Sequence, residues 1–185
     1  MSISPSEKLL VSIEDGIATL RINNPAANTW DLESLPALEA VVNNLNGMAE
    51  VRALVITGQG AKFFSAGADL NQFADGDPIA AGAMGEAFGA AFETLADYLG
   101  VSIAAINGYA MGGGLEVALA CDIRIAESHA ALALPEAKVG LLPCAGGTQR
   151  LAQLVGEGWA KRIMLCGERV SAEKAMTLGL VEEVV

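Results

Sequence analysis

The chain has 185 residues, 52% of them hydrophobic, enough for one folded core and too apolar for a disordered tail. Its formal charge of -11 excludes an electrostatic grip on nucleic acid or on an anionic membrane, since either needs a basic face. Cys121, Cys144 and Cys166 are odd in number and contain no CxxC pair, which argues against zinc and for reduced thiols in a cytoplasmic compartment.

The N-terminal "MSISPSEKLLVSIEDG" has no long apolar core after a basic start, and no charge-free apolar run approaches ~20 residues. The expectation is a chain neither exported nor inserted in a membrane. "LLVSIEDGIATLRIN" reads as two β-type runs around Asp15-Gly16, a dipeptide suited to a hairpin turn. "NNPAANTW" is a loop, Asp31 is a candidate N-cap, and "LESLPALEAVVNNLN" has helical apolar spacing that stops near Gly47. "VRALVITG" is a buried strand ending at Gly58, and "QGAKFFSAGADLNQFADGDP" is a loop. Residues 79–99 predict a long helix, in which Gly82, Gly85 and Gly89 are read as allowing close helix approach, without chemistry. "VSIAAIN" is the next strand.

The order strand, helix, strand, helix, strand predicts α/β layering with largely parallel strands. A helix over Gly113–Ala120 follows, then strands in "DIRIAES" and "AALALP". "GGTQRLAQLVG", "GWAKRIMLC" and "SAEKAMTLG" read as three short helices before a last strand in "LVEEVV". There is no repeat or linker, so residues 1–185 are expected to form a single core domain.

"AINGYAMGGGLEVALACD" carries two local penalties. Glycine weakens a helix interior by roughly 1 kcal/mol, and a carboxylate in an apolar stretch, Glu116, costs more unless it is paired. A strand followed by Gly112-Gly113-Gly114 and a helix presents free backbone N–H groups at the positive end of the helix dipole, which suits an oxyanion. Neither GxGxxG nor GxxxxGK[ST] occurs, so a nucleotide-phosphate cradle fits poorly. "FSAGADL" turns through Ala66, Gly67 and Ala68, and could offer a second converging N–H. Asp69 is expected to stabilise the turn after Ala68. In "LPEAKVGLLP", Glu136 lies 136 − 116 = 20 positions from Glu116, so an intervening pair of strands would have to bring the two acids together. Taken singly, each feature has a plainer reading: a glycine turn for close packing, Glu116 reaching solvent, Glu136 as a turn carboxylate. His129 reads as a solvated turn residue, Arg150 as a structural ion-pair partner, and Cys144 as a packing residue.

Three segments, "FSAGADL", "AAINGYAMGGGLEVALACDIRIA" and "LPEAKVGLLPCAGGTQRL", occur in this order, and with them the chain resembles the enoyl-CoA hydratase, or crotonase, family. The resemblance implies a crotonase-like (ClpP/crotonase) α/β spiral of ββα units. It implies that the N–H groups of Ala68 and Gly113 bind the thioester oxygen of an acyl-CoA, with Ala66, Gly67, Asp69 and Gly112 at the substrate. It also implies Glu116 and Glu136 as the acids that hold and activate water, with Glu116 assigned to the water and Glu136 to C2. Coenzyme A would be part of the substrate, with no metal or separate cofactor, and the implied assembly is a homotrimer or a dimer of trimers. The family pattern continues past Val185 into several helices, so the expectation is a core without them. Ala26 and Ala27 stand near a position where many members carry a basic residue for the CoA phosphates, and Cys144 stands where glycine is common. A double-bond isomerase and a catalytically inactive binding or assembly module are the alternative readings.

Overall fold

The computed structural model describes residues 3–185. In chain order it contains β1 (Leu9–Glu14), β2 (Ile17–Ile22), α1 (Ser34–Asn46), β3 (Ala53–Gly58), β4 (Phe63–Ser65), α2 (Pro78–Ala96), β5 (Val101–Ile106), β6 (Tyr109–Met111), α3 (Gly113–Ala120), β7 (Ile123–Ala126), β8 (Ala131–Ala133), α4 (Gly147–Leu165), β9 (Val170–Ser171), α5 (Ala172–Leu178) and β10 (Glu183–Val184). Two further turns of 3-10 helix cover Leu70–Phe73 and Glu136–Val139. The expected hairpin is present, with Asp15 and Gly16 at φ 50° and 79°, the left-handed conformations such a turn needs.

The strands build two sheets, ordered β1-β2-β3-β5-β7-β10 and β4-β6-β8-β9. Apart from the antiparallel β1–β2 and β8–β9 pairs, every pairing is parallel. Three strands of the first sheet are each followed by a short strand of the second and then by a helix: β3-β4-α2, β5-β6-α3 and β7-β8-α4. This is the expected ββα spiral. Alternation drives it, because Leu54, Ile56, Ala104, Ile106 and Ala126 are buried while their neighbours along the strands are only partly covered.

Asn107 ties successive turns of the spiral together. Its Oδ1 accepts from the Gly58 N–H at 3.0 Å, and its Nδ2 donates to the carbonyls of Gly58 (2.9 Å) and Gly60 (2.6 Å). The turns that lead into β4 and β6 are thereby held side by side.

Several sequence expectations need correction. β4, β6 and β9 are absent from the sequence reading, because strands of two or three residues flanked by glycine or charge show no alternation to detect. α1 starts at Ser34 rather than Leu32, yet Asp31 still caps it: Oδ1 accepts from the N–H groups of Glu33 (3.1 Å) and Ser34 (2.8 Å). The two helices expected in residues 146–166 form one element, α4, broken at Gly156, where φ 74° and ψ 162° interrupt the helix. Close helix approach at Gly82, Gly85 and Gly89 is not found, since a Cβ on any of them would meet nothing within 4 Å. α2 packs instead through Met84, Phe88, Ala91, Phe92 and Leu95. Trp30 is fully buried, and its ring meets Phe92 edge-on at 5.6 Å.

Candidate active site

After β4 the backbone is fixed on both sides of Ala68. The Ala66 N–H donates to Ala27 O at 2.9 Å, Gly67 O accepts from the Trp30 N–H at 2.8 Å, and the Asp69 N–H donates to Trp30 O at 2.9 Å. Among the described residues the Ala68 N–H has no acceptor. After β6, Gly112 takes φ 55° and caps α3; its N–H donates to Ala133 O at 2.9 Å and its carbonyl accepts from Leu115 and Glu116. The Gly113 N–H is likewise without an acceptor among the described residues. The two segments abut: a Cβ on Gly67 would stand 2.6 Å from Met111 O and 3.0 Å from Gly113 N. A Cβ on Gly113 would stand 2.7 Å from the Phe88 ring, and one on Gly114 would strike the backbone of Ser65. Close approach accounts for the glycine triplet.

Glu116 lies in the first turn of α3 and is 2% exposed. Its Oε1 accepts from the N–H groups of Ala145 and Gly147, both at 2.9 Å. Gly147 opens α4, so the carboxylate sits at the positive end of that helix. Burial raises its pKa above the usual carboxylate value, against the opposing pull of the Gly147 and Ala145 amides and of the Arg150 charge. Arg150 completes the support. Its Nη1 donates to Ala145 O at 3.1 Å and its Nη2 pairs with Glu93 Oε1 at 3.0 Å, as the structural role expected of it requires.

Glu136 follows Pro135 in the second 3-10 turn, where Oε2 is buried and has no hydrogen-bond partner among the described residues. Burial, reinforced by the nearby Glu116 charge, pushes its pKa up to about 7. A Cβ on Gly112 would come within 3.0 Å of Glu136 Oε1, so glycine at this position gives the acid its room. The sequence did not disclose what holds Glu116. The clue was "AGGT" ahead of a helix, a second set of unpaired N–H groups.

Ala66, Ala68, Gly112, Gly113, Glu116 and Glu136 all line one cavity of about 490 Å³. Asp69 lines it too, and its Oδ1 accepts from the Asn71 N–H at 3.0 Å, stabilising the turn. Gly67 lies behind the wall and acts by letting the segments approach. Cys144 lines the cavity as an exposed residue rather than a packed one, but its thiol, partly desolvated there and facing the Glu116 and Glu136 charges, is pushed up to about 11, in keeping with the unreactive role expected of it. His129 is outside the cavity, exposed, with Nε2 3.2 Å from Ala61 O and Nδ1 3.2 Å from Glu127 Oε2. Among the described residues no cluster of His, Cys, Asp and Glu is arranged to hold a metal ion.

A family model described as enoyl-CoA hydratase/isomerase matches residues 12–185. The chain is 38% identical to the short-chain-enoyl-CoA hydratase of Clostridium acetobutylicum, over 96% of this chain and 68% of that one. It is 38% identical to the crotonyl-CoA hydratase of Syntrophomonas wolfei, over 97% and 69%. Among solved structures, Pseudomonas aeruginosa DspI superposes with a TM-score of 0.96 at 64% identity, over 97% of this chain and 74% of that chain. The enoyl-CoA hydratase of Bacillus anthracis gives 0.93 at 38% identity, over 97% and 70%. The chain thus spans about two thirds of the length of its curated relatives. With the ββα spiral and the paired acids at one cavity, these matches make the chain a member of the enoyl-CoA hydratase/isomerase family.

Proposed function

We propose that the chain adds water across the 2,3 double bond of an enoyl-CoA thioester. One observation carries the reading: two backbone N–H groups without acceptors and two carboxyl groups line a single, largely apolar cavity. The thioester oxygen accepts from the N–H groups of Ala68 and Gly113. As the oxygen of water bonds to C3, the alkene electron pair shifts toward C2 and the carbonyl, and negative charge gathers on the oxygen held by these donors. Each such donor is worth roughly 3 to 4 kcal/mol at the transition state. Glu116 takes the proton leaving the water, and Glu136 gives its proton to C2. The environments match these roles. Burial raises both acids, but the amides of Ala145 and Gly147 and the Arg150 charge oppose it at Glu116, whereas among the described residues Glu136 Oε2 has no donor and its carboxyl favours the neutral form up to about pH 7.

Coenzyme A enters as part of the substrate, and the steps above call for no further group. The hydratase names of the relatives support the reading, as does the presence of both acids, since isomerisation can work with one carboxylate. The same reading includes assembly as a homotrimer or a dimer of trimers and a cytoplasmic location. Light scattering measures the assembly. Among the described residues, no helix is long and apolar enough to cross a membrane.

The test is loss of the conjugated thioester absorbance of crotonyl-CoA. Glu116→Gln and Glu136→Gln should each lower kcat by about 100-fold or more, with the circular dichroism spectrum unchanged. Wild-type rates in both variants would refute the assignment. Absorbance gained from a 3-enoyl-CoA, with none lost from crotonyl-CoA, would identify an isomerase.

A further inference from the structure

Gly85 sits inside α2, where glycine weakens the helix and where nothing in the fold requires it. Its φ is not in the left-handed range, and a Cβ there would meet no atom within 4 Å. Gly82 shares these properties, but only Gly85 lines the active-site cavity. Ala81 and Phe88 line the same wall, and Leu70 and Phe73 of the 3-10 turn after Asp69 also line the cavity. The Phe88 ring lies against Gly113, so this wall begins beside one of the two acceptor-free amides and runs toward the helix N-terminus.

From Phe88 back to Ala81 the helix rises by about 10 Å. At the reach of an extended chain, about 1.1 to 1.2 Å per bond, this is the length of an acyl chain of roughly eight to ten carbons. Gly85 lies partway along, where any side chain would project into the path. We infer that Gly85 sets the acyl length this site accepts and that the site takes medium-chain acyl groups, with the tail lying along the wall of Ala81, Gly85 and Phe88. The inference rests on the acyl-CoA reading above and extends it to the substrate's tail.

The experiment measures binding rather than turnover, so that it stands apart from hydration. Butanoyl-CoA and decanoyl-CoA are titrated calorimetrically into the wild-type chain, Gly85→Leu, Gly85→Ala and Gly82→Leu, with helix content checked by circular dichroism. The wild type should bind decanoyl-CoA at least about tenfold more tightly, since each buried methylene contributes severalfold. Gly85→Leu should abolish that preference. Gly85→Ala, whose Cβ meets nothing and which should therefore fold in any case, should lower it by about fourfold. Gly82→Leu, exposed and outside the cavity, should keep it. A wild type without length preference, or Gly85 variants that retain it, would overturn the inference. Length-dependent binding without hydration of crotonyl-CoA or 2-decenoyl-CoA would refute the hydratase reading and leave Gly85 in its role; hydration without length preference would do the reverse.

Discussion

Glu116 and Glu136 face the same space but are held in opposite ways. Two amides fix one oxygen of Glu116, while Glu136 keeps an oxygen buried with no donor, and the contrast has consequences for pH. If Glu136 supplies the proton to C2, kcat/KM should fall as pH rises through about 7, and the fall should vanish in Glu136→Gln along with most of the rate. Stability carries the same sign. The folded pKa of about 7 exceeds the ordinary 4.5, so the fold holds this proton more tightly than the unfolded chain does. The stability so gained is full below about 4.5 and is lost as pH rises through about 7. Glu116, also raised, acts in the same direction. Urea unfolding at about pH 5 and about pH 8 should show a smaller difference in Glu136→Gln than in the wild type. An equal difference in both would place the Glu136 proton elsewhere. Glu116 was legible as a lone carboxylate in an apolar stretch led by three glycines, whereas Glu136, alone no more than a turn carboxylate, was legible only through the family resemblance. The amides of Ala145 and Gly147 were not, because a backbone donor has no letter of its own, and Cys144 misled because a lone cysteine reads as a packing residue.

At the scale of elements, what the sequence disclosed depended on length and period. α1, α2, β3 and β5 were legible because each spans at least six residues with a repeating apolar pattern. Of the second sheet only β8 was legible, in "AALALP"; β4, β6 and β9 were hidden, although β4 and β6 place the two acceptor-free amides. The glycines of α2 show the limit of composition as a guide: they resemble a helix-packing pattern, yet packing runs through the larger side chains and leaves them in open space. That geometry makes a prediction. Gly82→Ala should stabilise the chain by about 0.5 to 1 kcal/mol, because alanine loses less backbone entropy on folding and its Cβ meets no obstacle. Denaturant unfolding measures it, and a loss of stability would mean that the glycine serves a contact.

For the molecule as a whole, the parallel order of the first sheet brings its last strand, β10, against β7, and Arg124 fastens the join from the interior. Its guanidinium is buried, donating to the carbonyls of Cys121 (2.8 Å) and Leu180 (3.0 Å) and pairing with Glu182 Oε1 at 2.5 Å, while the Arg124 N–H donates to Glu182 Oε2 at 2.6 Å. Arg124→Met should cost about 3 kcal/mol, since two buried carbonyls lose their donor while the half-exposed Glu182 regains water. Urea unfolding would show it, and a change under about 0.5 kcal/mol would make the pair dispensable. The break at Gly156 has a mechanical meaning. The first half of α4 carries the Gly147 amide that holds Glu116, and the second carries Trp159, its ring flanked at 4.4 Å by Arg162 and Lys174. A lever without a continuous shaft transmits little torque. A push or pull on the Trp159 end should then be taken up at the joint rather than passed to the geometry around Glu116.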